Sequence, residues 1–138
     1  MNAAFVLDAS VAFAWVYEDQ ATLETDHLLN ELAAGAVAVV PAMWFLEVAN
    51  VLLIAQRRHR LTAAQRRSAL EKLDAMPFTV DDEPARSAFG KTSDLAEQYG
   101  LTVYDAHYLE VALRRKLPLG SRDDALRQAA MRCGVKVL

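Results

Sequence analysis

The sequence has 138 residues, of which 54% are apolar and 24% charged, and carries a net charge of −3. Such a composition excludes a disordered or low-complexity chain and suits one domain with a real core, expected over residues 1–138. A lone cysteine, Cys133, excludes an internal disulfide framework and a cysteine-based zinc site, and no stretch resembles a signal peptide or a membrane span, so a cytoplasmic protein without membrane contact is expected.

Net acidity does not advertise a nucleic-acid binder, because such domains are commonly basic. Bound divalent cations can nevertheless invert the local field of an acidic site. Basic residues cluster at Arg57, Arg58, His59 and Arg60, at Arg66 and Arg67, and at Arg114, Arg115 and Lys116. Each cluster lies in or beside a predicted helix and reads as a solvated helix face.

Phe5-Val6-Leu7 is an apolar run that ends on Asp8. A strand of this kind belongs inside a sheet covered on both faces, which sets Asp8 at its carboxyl end, where open α/β sheets place their sites. Read alone, Asp8 is equally a turn residue. Ser10 is the expected N-cap of a helical stretch from Val11 to Val16. A second helical segment runs from Ala21 to Ala34 and is closed by Gly35. Ala36 to Val40 is a short strand closed by Pro41.

The strongest helix is expected from about Met43 to Arg58, with Trp44, Val48, Val51, Leu52 and Ala55 at helical spacing. Glu47 interrupts the stripe, with Asn50 on the same side. Polar groups so placed need partners, and neighbouring backbone can supply them. Thr62 to Gln65 has the capping-box pattern and starts a helix that ends before Pro77. Phe78-Thr79-Val80 is a third strand. Asp81, Asp82 and Glu83 precede Pro84 and read as capping and dipole compensation for a helix that runs to Tyr99 and stops at Gly100.

Leu101 to Tyr104 leads to Asp105, and a helix from Asp105 to Lys116 carries Tyr108, Leu109, Ala112 and Leu113 on its apolar face. Leu117 to Gly120 is a strand, with Pro118 at its start or at a non-bonded position. Ser121-Arg122-Asp123-Asp124 follows, then a helix from Ala125 to Arg132 and a last strand from Gly134 to Leu138. The fold class is α/β, a three-layer α/β/α sandwich with a mostly parallel sheet of about five strands and right-handed crossovers.

Four acids share one context in this order. Asp8 and Asp123 each follow a strand, Glu47 lies in the first turns of a helix after a strand, and Asp105 lies at a helix start. On a parallel sheet all four can converge on one rim. Packed together, they repel and raise one another's pKa values. A hard divalent cation relieves that repulsion, and oxygen ligands select Mg2+ or Mn2+. Such an ion activates water for in-line attack at a phosphoryl centre. Asp8 is the central ligand in this reading, Asp105 and Asp123 bind directly or through water, and Glu47 holds a second ion or orients a water. Ser121 bonds a ligating carboxylate or a substrate phosphate, with Ser10, Asn50 and Arg122 around the acids or against substrate. Competing chemistries lack their residues: there is no P-loop, no G-x-S-x-G elbow and no second aspartate two positions after Asp8. The histidines His27, His59 and His107 show no ligand spacing. His107 reads as a surface residue, with an approach to substrate as the alternative.

Four pieces in this order carry a resemblance. They are Phe5-Val6-Leu7-Asp8-Ala9-Ser10, Pro41 to Leu52 with Glu47-Val48-Ala49-Asn50, Leu101-Thr102-Val103-Tyr104-Asp105-Ala106-His107-Tyr108, and Pro118-Leu119-Gly120-Ser121-Arg122-Asp123. Together they resemble the PIN domain, and in particular the VapC family of toxin–antitoxin ribonucleases, over essentially the whole chain. The resemblance implies an α/β/α sandwich and a magnesium- or manganese-dependent endoribonuclease whose metal site is formed by Asp8, Glu47, Asp105 and Asp123, with the Ser121 hydroxyl part of it. It also implies an RNA substrate, commonly tRNA or ribosomal RNA, and a small cognate antitoxin that wraps the protein and blocks the site. A homodimer is implied as well, with DNA binding only through the antitoxin.

Two departures matter. Ser121 and Arg122 stand where the family more often has threonine and an apolar residue; serine keeps the hydroxyl, and Arg122 is free to face RNA phosphate. The run Asp123-Asp124 offers two carboxylates for one place, and Asp123 has the family spacing after Gly120-Ser121. The basic helix ends are expected to contact phosphates, which position RNA without specifying its sequence. Two other readings stay open: a PIN-type nuclease of RNA processing outside toxin–antitoxin systems, and a non-catalytic protein-interaction domain.

Overall fold

Residues 3–138 are described by a computed structural model. Strand β1 (Ala4–Leu7) lies inside the sheet, and Phe5, Val6 and Leu7 are all buried. It pairs in parallel with β2 (Val37–Pro41) on one side and β4 (Leu119–Gly120) on the other, and β3 (Thr79–Asp81) pairs in parallel with β2. The sheet order is β3-β2-β1-β4. The expected fifth strand reduces to one parallel bridge between Leu119 and Val137. With β4 only two residues long, there is room for Leu119 to bond Lys136 and Leu138 and no further.

Two helical layers cover this sheet. Helices α1 (Ala9–Val16), α2 (Leu23–Ala33), α3 (Met43–Arg57) and α4 (Ala63–Asp74) pack as one chain of contacts. Helices α5 (Lys91–Tyr99), α6 (Val103–Arg115) and α7 (Asp124–Arg132) pack as the other. The sheet grows outward from β1 in one direction through β2 and β3, then reverses to β4. Right-handed crossovers therefore send the two helix sets to opposite faces. The reversal falls between β1 and β4, and the carboxyl side of such a switch is where an open sheet leaves a crevice. Among the described residues, no helix is long and apolar enough to cross a membrane.

Local chemistry explains most boundaries. Thr62 and Gln65 form the expected capping box, and Thr22 and Thr25 form a second one ahead of α2. Helix α6 starts two residues before Asp105 because Thr102 caps it, its side chain accepting from the Asp105 N–H. Asp8, not Ser10, occupies the N-cap position of α1. The helix expected between Pro84 and Tyr99 is broken in two. A 3-10 turn at Ala85–Phe89 precedes Gly90, whose backbone (φ −105°, ψ −109°) is not helical, and α5 starts afresh at Lys91.

The Asp81 region departs most from expectation. Asp81 does not cap a helix. It ends β3 almost fully buried, accepting at 2.6 Å from Arg114 Nη2 and at 2.6 Å from Arg115 Nε. Arg114 Nε also donates to Glu110 Oε1 at 2.8 Å. Burial raises the Asp81 pKa, but the hydrogen bonds from Arg114 and Arg115 outweigh it and hold the carboxyl below its ordinary value. Two of the three basic residues at 114–116 are thus committed to tying α6 to β3.

Asp81→Asn should lower stability at pH 7 by about 3 kcal/mol, the scale of removing one partner from a buried pair. Urea unfolding measures it, and a change below about 1 kcal/mol would contradict the buried-pair account. Because the folded pKa is depressed, this contribution should persist above about pH 4, the usual aspartate value, and disappear as pH falls through the lower folded value.

Candidate active site: an acid cluster at the carboxyl edge of the sheet

Asp8 follows β1 directly, and its N–H donates to Gly120 O at 2.9 Å, so the β1–β4 ladder fixes it. It is 4% exposed. An N-cap aspartate ordinarily accepts from its own helix, yet Asp8 makes no such bond. Its Oδ2 instead accepts from Ser10 Oγ at 2.8 Å and from Ser121 Oγ at 2.7 Å. Ser10 Oγ in turn accepts from the Arg122 N–H, and Ser121 Oγ from the Asp123 N–H. The loop after β4 is therefore stitched to the start of α1 through two hydroxyls. Gly120 packs closely there: a Cβ would come within 2.9 Å of the Leu28 side chain, which would have to shift.

Glu47 sits in the second turn of α3, and its Oε1 accepts from the Tyr108 hydroxyl of α6 at 3.2 Å. Asp105 lies in the first turn of α6. Asp123 caps α7, its Oδ1 accepting from the Leu126 N–H at 2.8 Å.

These four acids feel one another. Burial pushes the Asp8 pKa up and Asp123 adds to it, while the bonds from Ser121 and Ser10 oppose. Glu47 is pushed up to about 7 by burial first and by the charge of Asp8 second. Asp105 is raised by burial, then by Asp8 and Asp123. Burial and the neighbouring acids Glu47 and Asp8 also raise Tyr108, which keeps its hydroxyl a donor at neutral pH. Among the described residues, no basic side chain is a main influence on Asp8, Glu47 or Asp105.

Among the described residues no three Asp, Glu, His or Cys side chains stand close enough together to form a ready-made metal cage. The acids lie within electrostatic reach and short of shared ligation. Their donor chemistry, carboxylate oxygens alone with their repulsion unneutralised, fits a hard divalent cation.

The remaining expected residues divide. Ser10 and Ser121 are joined to Asp8. Arg122 is bonded through its backbone N–H to Ser10, while its Nη1 reaches Gln20 Oε1 at 3.3 Å. Asp124 is exposed, so Asp123 is the acid coupled to Asp8. Asn50 is exposed, and among the described residues no hydrogen bond joins it to the acids. Its side of α3 faces solvent while Val48 and Leu52 turn inward. Tyr108 is the residue that sequence reasoning left on an apolar face. A tyrosine three residues after Asp105 signals it, because a buried tyrosine hydroxyl needs a partner.

A family model described as PIN domain matches residues 5–131. No curated protein matches the sequence. Among solved structures, PAE2754 from Pyrobaculum aerophilum is similar at TM-score 0.72 and 24% identity, over 94% of this chain and 86% of that one. A chain of VapBC2 from Rickettsia felis, bound to a DNA fragment from their promoter, is similar at TM-score 0.68 and 13% identity, over 98% and 97%. A chain of a toxin–antitoxin complex from Klebsiella pneumoniae is similar at TM-score 0.55 and 18% identity, over 86% of each. At these identities the structures share the fold.

In the absence of divalent cations, Glu47 should titrate near pH 7 by carbon NMR of its carboxyl, and lower in Asp8→Asn. A raised carboxylate binds its proton more tightly folded than unfolded, so the metal-free protein should lose stability as pH rises from about 5 to about 7. A Glu47 midpoint near 4.5, its ordinary value, would contradict the coupling.

Proposed function

The chain belongs to the PIN-domain family, and from that premise we propose that it is a divalent-metal-dependent endoribonuclease, the toxin of a toxin–antitoxin pair. The carrying observation is the gathering of Asp8, Glu47, Asp105 and Asp123 at one edge, where burial first and neighbouring acids second raise Asp8, Glu47 and Asp105, with no basic side chain among the main influences from the described residues. Magnesium or manganese held by Asp8, Glu47, Asp105 and Asp123 would activate a water and stabilise charge growing on a phosphodiester oxygen.

The chain's own groups prepare that chemistry. Ser10 and Ser121 both donate to Asp8 Oδ2, which fixes the carboxylate and leaves Oδ1 without a side-chain hydrogen bond among the described residues. Tyr108 holds Glu47 by Oε1, leaving Oε2 to orient water or accept its proton. Thr102 fixes the helix turn that carries Asp105. Phosphate contacts fall to Arg57, Arg58 and Arg67, which are exposed. Arg57 lies about 15 Å along α3 from Glu47, so those contacts would position RNA away from the cut.

For partners, the supporting likeness is to chains of VapBC2 and of a toxin–antitoxin complex. The outer side of α3 also exposes Phe45, Leu46, Val51 and Ile54. An apolar cavity of about 310 Å³ between α3 and α4, lined by Trp44, Phe45, Val48, Leu70 and Leu73, lies beside Phe45. We assign that face to a small antitoxin, with DNA engaged only through it, and include a homodimer and a cytoplasmic location in the proposal. The RNA would be a structured one such as tRNA or ribosomal RNA, cut where its bases are unpaired.

Purified protein, stripped of any copurified partner, should cleave total RNA with manganese and stop with EDTA. Asp8→Asn should lower the rate at least about a hundredfold, and Ser121→Ala about tenfold. Cleavage that survives EDTA or Asp8→Asn would overturn the metal mechanism, and no metal-dependent cleavage of any RNA would overturn the nuclease.

A further inference from the structure

A second feature lies on the next face of α6. A cavity of about 240 Å³ opens between the start of α3, the 3-10 turn, α5 and α6. Met43, Ala88 and Val103 give it apolar walls, and Tyr104, 66% exposed, lines it towards solvent. Two of its lining residues carry a buried polar atom without a hydrogen-bond partner among the described residues, Thr92 Oγ1 and His107 Nδ1, the latter 3.9 Å from Glu110 Oε2. Thr92 is 0% exposed. Leaving such groups unpaired is costly, and buried polar atoms in folded proteins almost always have partners.

The cavity and the acid cluster share their supports. Tyr104 and Asp105 are consecutive on α6, as are His107 and Tyr108, so the two features lie about 100° apart around one helix. Met43 and Glu47 are one turn apart on α3. A ligand spanning both would need no more than neighbouring helix faces.

We propose that this cavity is a subsite for one unpaired nucleobase of the RNA, next to the scissile phosphate, with Thr92 and His107 reading its edge and Tyr104 stacking on its face. The proposal rests on the nuclease reading and names a specificity element for it. The chemistry of the lining selects the base over other parts of RNA. Among the described residues no Lys or Arg lines the cavity, so a phosphate has no counter-charge there. Asp81 and Glu83, which do line it, have their charges answered by Arg114 and Arg115 outside. A purely apolar side chain would fill the space but leave Thr92 Oγ1 unpaired. A flat heteroaromatic ring with donors and acceptors on its edge satisfies both demands, and stacking of unpaired bases on exposed aromatic side chains is the usual mode of sequence reading in RNA.

The test maps cleavage positions on a pool of single-stranded RNA of randomised sequence, with manganese, for wild type, Thr92→Val and Tyr104→Ala. Thr92→Val keeps the shape and removes the hydroxyl, and Tyr104 is exposed, so at least one variant keeps the fold. Wild type should show a base preference at one fixed position beside the cut. The ratio of kcat/KM for the favoured base to that for the others should fall about fivefold in Thr92→Val, the scale of one lost hydrogen bond, and also in Tyr104→Ala. A wild type that cuts without preference, an unchanged ratio in both variants, or equal losses at every base would overturn the subsite and leave the nuclease standing. An unchanged ratio would point to a protein side chain as the occupant. Absence of metal-dependent cleavage by wild type would remove both readings together.

Discussion

Burial of carboxylates at one rim, with their repulsion added to it, is the constraint on which this site depends. Two buried aspartates stand at the carboxyl ends of β3 and β1, strands of the same sheet with β2 between them, and are treated oppositely. Asp81, at the end of β3, is met by Arg114 and Arg115 and sits below its usual pKa. Asp8, at the end of β1, is met by two hydroxyls and no arginine, and burial, with the charge of Asp123 added, outweighs those bonds and holds it above its usual value. The first arrangement is a stabilising tie between α6 and β3. The second holds carboxylates where their charge is unfavourable, which is a poor way to build a fold and the arrangement that the proposed cation would relieve.

The fold makes that arrangement tolerable by distributing the acids over separate, rigid supports. Asp8, Glu47 and Asp123 come from three strand-to-helix junctions and Asp105 from the first turn of α6, which follows α5, so no local segment bears the whole repulsion. The β1–β4 ladder, the Ser10 and Ser121 hydroxyls and the Tyr108 bond hold the acids near one another without collapsing them together. Helix α6 links the parts. Its first turn presents Asp105, its next turn Tyr108, and its end the arginines that pair with Asp81.

Much of this was legible in the sequence. An apolar run ending on Asp8 suggested an inner strand with its acid at the carboxyl end, although alone it read equally as a turn, and the parallel order of the elements gathered Glu47, Asp105 and Asp123 to the same edge. What sequence missed depended on long-range pairing. Asp81 looked like a cap because Pro84 follows it, and nothing local announces two arginines more than thirty residues away. Tyr108 looked apolar because its ring is; only its hydroxyl, meeting Glu47 on another helix, is not. Gly90 breaks a helix that Pro84 seemed to begin, and the terminal strand shrank to one bridge because β4 offers it just two residues. Asn50 shared a side with Glu47 by spacing, but the inward stripe of α3 runs through Val48 and Leu52 and leaves Asn50 in solvent.

Metal binding itself is the most direct check on the central claim. Calorimetric titration of manganese near pH 7, into wild type and Asp8→Asn, should give saturable binding to wild type with release of protons, because Glu47 is partly protonated there. Asp8→Asn should bind far more weakly. Equal binding to both proteins, or binding without proton release, would contradict the account.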